Sequence, residues 1–250
     1  DYLELEGLSP WTANQYIATA SWFLDWLDGK KLAEVDLDDV TSFLKSQKDA
    51  KKLSGPSVAK YLASIRKLLQ SHGIQLNWAN LPKVRQWSQF KPVVLSRETV
   101  DEIIHSAPTT TKKLMLWLGY EAALRSGELV VVKIRDLNLR NPDRASIYIV
   151  PEKKGKTSEI PISTPLALEL SKYIISLQRH PEEYLFHSEA GGPFDNGRFA
   201  SDVFRVLAKR AGKDCRYHDF ARHSRITHLL TGGMDIYKVS KFARHASLSS

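Results

Sequence analysis

A chain of 250 residues with 42% hydrophobic and 26% charged side chains has ordinary globular composition, which excludes gross disorder and collagen-like repeats. Its longest apolar stretch, Leu114 to Leu124, is too short to span a bilayer and is broken by Gly119 and Glu121. No basic-then-apolar leader opens the chain, and the single cysteine, Cys215, excludes a disulfide framework or a cysteine-rich zinc site. A soluble protein of a reducing, cytoplasmic compartment is expected. The net charge of +8 is unevenly spread. Residues 41–72 carry seven Lys/Arg against one acid, and residues 196–250 carry eleven against four, while the remainder is net acidic. Two separated basic regions suit a polyanion touched in two places; a solubilising surface is the alternative.

Taken in order, the first 80 or so residues read as helices. Leu8-Ser9-Pro10 with Thr12 reads as a cap and first turn, and Tyr16, Ala20, Phe23, Leu24 and Leu27 recur at helical spacing. Leu37-Asp38-Asp39-Val40 opens a short helix through Leu44, and the Lys-rich stretch Lys45 to Gly55 reads as a loop. A third helix begins at Ser57 with Val58, Leu62, Ile65 and Leu69 as its buried stripe. Its Lys60, Ser64, Lys67 and Ser71 share a face expected to be solvated or to follow a phosphate backbone. Periodicity lapses over residues 82–94, which are expected to form a basic linker. Ser96 then reads as a helix cap in an imperfect capping box, with Thr99 where Glu or Gln is usual. An apolar helix is expected over Lys113 to Ala123. Ile147 to Val150 and Glu159 to Ile162 read as strands joined by a Lys/Gly turn. From Pro165 the pattern is helical again, with turns at His180-Pro181 and Ala190 to Pro193.

Four segments carry candidate chemistry. In Ala123-Leu124-Arg125-Ser126-Gly127-Glu128-Leu129 an arginine closes an apolar helix. It cannot lose its charge and needs an anion, water or an internal pair with Glu128. Lys153, Lys154 and Lys156 stand at the tip of the expected hairpin, aimed into a groove or into solvent. The segment Tyr217 to Leu230 holds His218, Arg222, His223, Arg225 and His228. Its histidines are five apart, which turns each by about 140° around a helix, so no shared metal-binding face is expected. Asp235 to Ser250 carries Arg244 and His245.

In this order the segments resemble the tyrosine recombinases, the phage integrase and Xer-type family. The likeness rests on Arg-x-Gly-Glu-Leu, the strand–Lys–strand hairpin, Arg-His-Ser-x-x-Thr-His-Leu-Leu and Val-Ser-x-x-x-x-His-x-Ser. The helical start resembles the family's core-binding domain in two stretches, Leu8-Ser9 to Trp26-Leu27 and Leu53-Ser54 to Leu69.

The resemblance implies a mainly α fold with a small β-sheet. It divides the chain into a helical, SAM-like core-binding domain (1–81), a linker (82–94) and an α+β catalytic domain (95–250). It implies Arg125 and Arg222 as the pair gripping the scissile phosphate, Lys153 as general acid, His218 and His245 as the histidines, and Glu128 as support for Arg125. His218 stands four residues before Arg222 rather than the family's usual three, with Asp219 in the expected place. The turn there carries one extra residue, or His218 has a looser part. The nucleophilic tyrosine is expected beyond Ser250, so this chain lacks it and would be inactive for cleavage; Tyr217 and Tyr237 precede His245 in the wrong context.

Lys60, Lys67, Lys154, Lys156, Arg225 and Arg244 are the expected DNA contacts. No metal or other cofactor is implied. The expected partners are double-stranded DNA and further copies of the chain, in a synaptic tetramer on DNA and a monomer without it. The expected location is the cytoplasm, at the nucleoid, and no membrane partner is expected. The leading expectation is a site-specific recombinase working through a 3′-phosphotyrosyl intermediate. A catalytically silent DNA-binding factor and a topoisomerase-like nicking-closing enzyme are the alternatives.

Overall fold

The structure, a computed structural model, describes residues 7–8, 10–81, 92–149, 157–187, 194 and 197–244. It divides into two units, Asp1–Phe90 and Lys91–Ser250. The described part of the first holds three α-helices: α1 (Pro10–Trp26), α2 (Leu37–Lys51) and α3 (Gly55–Ser71). Their shared core is built on Phe23, Val40, Phe43, Ile65 and Leu69, with the Phe23 and Phe43 rings edge-to-face at 5.1 Å.

Three expectations for this unit are corrected. The Lys-rich stretch is helical: α2 runs to Lys51, because its ends are provided for. Asp36 Oδ1 accepts the Asp38 and Asp39 N–H groups, Asp39 returns a carboxylate to the Asp36 N–H, and Lys48 and Lys51 sit at the negative end of the helix dipole. Leu24 is exposed, since Phe23 and Leu27 take the core-facing positions and Leu24 lies about 100° round the helix from Phe23. Ser64 is buried rather than on a solvent face, and its hydroxyl donates to the Lys60 carbonyl within α3, which starts at Gly55 rather than Ser57.

The second unit is organised around α5 (Thr110–Glu121), which buries Leu114, Met115, Leu116, Leu118, Gly119 and Tyr120. Before it, α4 (Arg97–His105) is capped by Ser96, whose hydroxyl accepts the Thr99 N–H. After it come α6 (Ser126–Val130), β1 (Leu137–Asn138), β2 (Ser146–Ile149), β3 (Ser158–Pro161) and α7 (Thr164–Leu177). Then follow α8 (Arg198–Arg210), a π-turn over Asp219–Ser224, α9 (Arg225–Thr231) and α10 (Ile236–Phe242).

The sheet is antiparallel in the order β1-β2-β3, with Ile147 opposite both Leu137 and Ile160. Ile147 and Ile149 face the core while Tyr148 faces out, the alternation of a half-buried strand. Pro161 lies on β3, an edge strand, where its missing N–H is tolerated. The two strands begin one residue earlier than expected, and β1, too short to show a period, was not anticipated. The expected linker falls mostly outside the described residues, as do the hairpin tip with Lys153, Lys154 and Lys156, the turn at 190–193, and His245.

One side chain ties these layers together. The carboxylate of Glu121, at the end of α5, accepts from Trp117 Nε1 at 2.7 Å, from the Ser163 N–H at 2.8 Å and from the Ser163 hydroxyl at 2.7 Å. It thereby fastens the start of α7, and with it β3, to the central helix. Among the described residues no helix is long and apolar enough to cross a membrane.

Candidate active site

The site grows from the way α5 ends. α5 ends at Glu121, two residues before the expected Ala123, and the Ala122 N–H makes its last helical bond, to the Leu118 carbonyl. The Ala123 N–H then reaches the Tyr120 carbonyl and the Leu124 N–H the Gly119 carbonyl, a Schellman closure with Ala123 in the left-handed region at φ +48°. That position favours glycine, and the strain is held by what the Ala123 carbonyl receives. Arg222 Nη1 donates to it at 2.8 Å and Arg244 Nη2 at 2.9 Å.

Arg125 follows directly. Its backbone N–H donates to Glu128 Oε2 at 2.8 Å and its Nη1 to Glu128 Oε1 at 2.6 Å, one helical turn along α6. The Arg125 side chain is 42% exposed while that of Glu128 is only 1% exposed, so the carboxylate is buried beneath a guanidinium that still faces out. Burial raises the pKa of Glu128, but the Arg125 N–H, the Arg244 charge and the Arg125 guanidinium together take it below the usual carboxylate range. The pair is therefore charged at neutral pH, and the arginine keeps donors for a second anion.

Arg222 is the most buried of the arginines, 2% exposed. Its Nη1 and Nη2 are held by the carbonyls of Ala123 and Ala243, the latter at 2.6 Å. Burial, and then the charges of Arg125 and Arg244, push its pKa down to about 10, which still leaves it cationic at neutral pH. The Ala123 carbonyl shared by Arg222 and Arg244, and the Glu128 carboxylate shared by Arg244 and Arg125, make the three guanidinium groups neighbours. Arg125 and Arg244 share the Glu128 carboxylate while Arg222 is held by carbonyls alone, an excess of positive charge suited to an oxyanion.

Arg222 is presented from the π-turn Asp219–Ser224, which holds one more residue per turn than an α-helix. The odd spacing of His218 and Arg222 is met by this extra residue. Asp219 plays a supporting part. It accepts from the Arg216 N–H and guanidinium and lies 3.0 Å from His223 Nδ1, and its pKa is held down because these bonds outweigh its burial. Ser224 donates to the Asp219 carbonyl and accepts the Leu95 N–H, which pins the turn to the start of the unit. His218 is exposed at its edge, with its ring edge-on to His223 at 4.7 Å. Partial burial of the ring, then the neighbouring His223 and Arg222, lower its pKa to about 4. At neutral pH it is a neutral imidazole, able to accept a proton.

Of the expected residues, Arg125, Glu128 and Arg222 come together, with His218 within reach of both arginine charges. Arg244 is corrected from DNA contact to buried partner: its side chain is 4% exposed and paired with Glu128 at 2.8 Å. Arg225 is half-buried, donating Nε to the Glu121 carbonyl and lying over the Tyr120 and Phe242 rings. Lys60 and Lys67 belong to α3 of the first unit.

Gly197, passed over in the sequence, and Tyr217, weighed there only as a nucleophile, also shape the site. Gly197 packs so closely on Ser126 and Gly127 that a Cβ there would overlap their backbone. Gly197→Ala is expected to displace the start of α6 and with it Arg125, at about 1–3 kcal/mol of stability and with weaker phosphate binding; thermal unfolding and phosphate titration would measure both. Tyr217 is buried against Gly119, and its hydroxyl has no hydrogen-bond partner among the described residues. Burial, then the Glu128 charge, raise its pKa steeply. Tyr217→Phe is expected to stabilise the unit by about 1 kcal/mol in denaturant melts, since it removes an unsatisfied hydroxyl. Among the described residues no group of three or more His, Cys, Asp or Glu is placed to hold a metal ion.

The chain was compared with known proteins. Residues 93–250 match the model of the phage integrase family, and residues 1–72 match that of the phage integrase N-terminal SAM-like domain. The tyrosine recombinase XerA of Pyrococcus horikoshii is 30% identical over 256 residues, spanning all of this chain and 84% of the relative. A tyrosine recombinase of Pseudothermotoga lettingae is 29% identical over 267 residues, spanning all of this chain and 89% of the relative. In fold, the chain is similar to a lambda integrase tetramer bound to a Holliday junction, with a TM-score of 0.76 at 16% identity over 99% of this chain and 75% of that one. The chain thus belongs to the phage integrase family of tyrosine recombinases.

Proposed function

We propose that this protein cuts and rejoins double-stranded DNA at specific sites through a 3′-phosphotyrosyl intermediate. The observation that carries the reading is the arginine cluster. Arg125 and Arg222 are held by Glu128 and by backbone carbonyls in a fixed arrangement with an excess of positive charge. Attack on a phosphodiester adds negative charge to the non-bridging oxygens, and two oriented guanidinium groups stabilise it without reorganising. His218 and His245 take the proton of the attacking hydroxyl or hydrogen-bond the phosphate. Lys153 on the hairpin protonates the 5′-oxygen as it leaves. The covalent bond conserves the phosphodiester's energy for rejoining, so no ATP is needed.

Tyr217 does not fit as the nucleophile, because its hydroxyl is sealed in the core and resists ionisation. A factor that only bound DNA would have no use for two arginines oriented by a carboxylate and by backbone carbonyls, which favours the catalytic reading over the silent one.

Residues 1–81 act as the core-binding domain and residues 95–250 as the catalytic domain, each laying a basic region on DNA, with Lys60, Lys67, Lys154, Lys156 and Arg225 on phosphates. A tetramer on DNA is the active assembly, a proposal supported by the lambda integrase tetramer on a Holliday junction. Binding is expected to weaken by roughly 10³-fold or more between 50 and 200 mM salt, measured by fluorescence anisotropy. A flat salt response would reject phosphate contacts by the two basic regions.

The deciding experiment uses the full-length protein and duplexes selected from a random pool. A nicked suicide form of the selected site should yield a covalent adduct that Arg222→Ala abolishes and Tyr217→Phe preserves. Strand exchange between two labelled duplexes then separates recombination from nicking-closing. Tight binding with no adduct would establish the silent DNA-binding alternative.

A further inference from the structure

Arg244 sits where an arginine is costly. Its backbone is left-handed at φ +55°, and its Nε is buried with no hydrogen-bond partner among the described residues. What holds it is its guanidinium. Nη1 donates to the carbonyls of Ala122 and Phe242 at 3.2 and 3.3 Å, and Nη2 to the Ala123 carbonyl at 2.9 Å and to Glu128 Oε2 at 2.8 Å. These partners belong to three parts of the site: the end of α5, the end of α10, and α6. The Ala123 carbonyl it shares is also a ligand of Arg222, and the Glu128 carboxylate it shares is the one that orients Arg125.

We infer that Arg244 is a positioning residue for the arginine pair: its fork fixes the Glu128 carboxylate and the α5 end in one geometry, so that Arg125 and Arg222 present their free donors together. The inference rests on the phosphate-gripping role of that pair. The fork is what the role requires, because one planar group reaches a carboxylate and three carbonyls at once, and a lysine ammonium has neither the span nor the number of donors. Arg244 thus acts through Glu128 and touches no substrate.

The test uses the 250-residue chain with ¹⁵N-labelled arginine, and inorganic phosphate as the probe. Without phosphate, the Arg125 Nε–H resonance should show a rigid side chain in the wild type and a mobile one in Arg244→Lys and Arg244→Gly. The glycine also relieves the left-handed backbone, and native amide dispersion and thermal melts show that each variant is folded. Phosphate should bind about tenfold more weakly to Arg244→Lys, the cost usual for losing a group that orients a ligand. In a Glu128→Gln background the Arg244→Lys effect should vanish, because the two residues act as one unit.

Arg125 staying rigid in folded Arg244→Lys overturns the inference. Full wild-type phosphate affinity in that variant does so too, since Arg244 would then be a bare charge, and so does additivity with Glu128→Gln. If phosphate leaves the wild-type Arg125 and Arg222 signals unmoved, the phosphate-gripping reading fails. The rigidity of Arg125 still decides the positioning role.

Discussion

Glu128→Ala is expected to destabilise the second unit by about 3–5 kcal/mol. The carboxylate is 1% exposed and is the anion shared by Arg125 and Arg244, the latter 4% exposed. Truncation leaves Arg244 charged in a site that water cannot fill, and it frees the Arg125 N–H that Glu128 accepts. Native-state hydrogen exchange of the α5 amides isolates this loss from the unfolding of the first unit. The same contacts set a pH signature. The Glu128 pKa is lower in the folded state than in the unfolded chain, so its stabilisation is complete above the ordinary carboxylate pKa and is lost as pH falls through the depressed folded value. Glu128→Gln should flatten that acid limb. An unchanged limb would mean that other carboxylates govern acid unfolding.

Arg222→Ala is expected to lower the rate of covalent adduct formation by roughly 10³-fold, the scale of losing one oriented donor to a developing oxyanion. It also strips the Ala123 and Ala243 carbonyls of their donor from Arg222 and opens a cavity in a wholly buried place. Arg222→Lys keeps the charge but cannot bridge two carbonyls and a phosphate, so it should recover stability before activity. Arg222, its pKa pushed down to about 10 by burial and then by the Arg125 and Arg244 charges, stays cationic through neutral pH, so no loss of cleavage near neutrality should trace to it. Single-turnover cleavage against pH reads this directly. A lysine variant with full activity would show that point charge suffices at this position.

Much of this was legible without coordinates. The Ser96 cap, the alternation over residues 147–149 and the apolar run of α5 follow from local rules, because caps and strand faces depend on neighbours within a few residues. Arg125 and Glu128, three apart, belong to one helical turn, so their pairing was open as an alternative from the first. The four motifs in order were enough to place the chain in its family. Local pattern misled where charge was taken for solvent: the lysines of residues 45–51 decorate a helix whose acidic start and basic end stabilise it.

Residue types, their order and their periodicity determined the helical elements, the hairpin, the family and the arginines worth watching. Tertiary structure alone decided which arginine faces out and which is buried, because that depends on carbonyls brought from the distant ends of α5 and α10. It placed Arg222 on a π-turn that Ser224 pins by linking Asp219 to Leu95, 129 positions from Ser224 in sequence. It also turned Arg244 from a surface cation into a buried clamp, since no spacing rule links it to Glu128, 116 residues earlier. Short-range preferences are written in the chain, whereas long-range electrostatic partners exist only once the core has folded and excluded water.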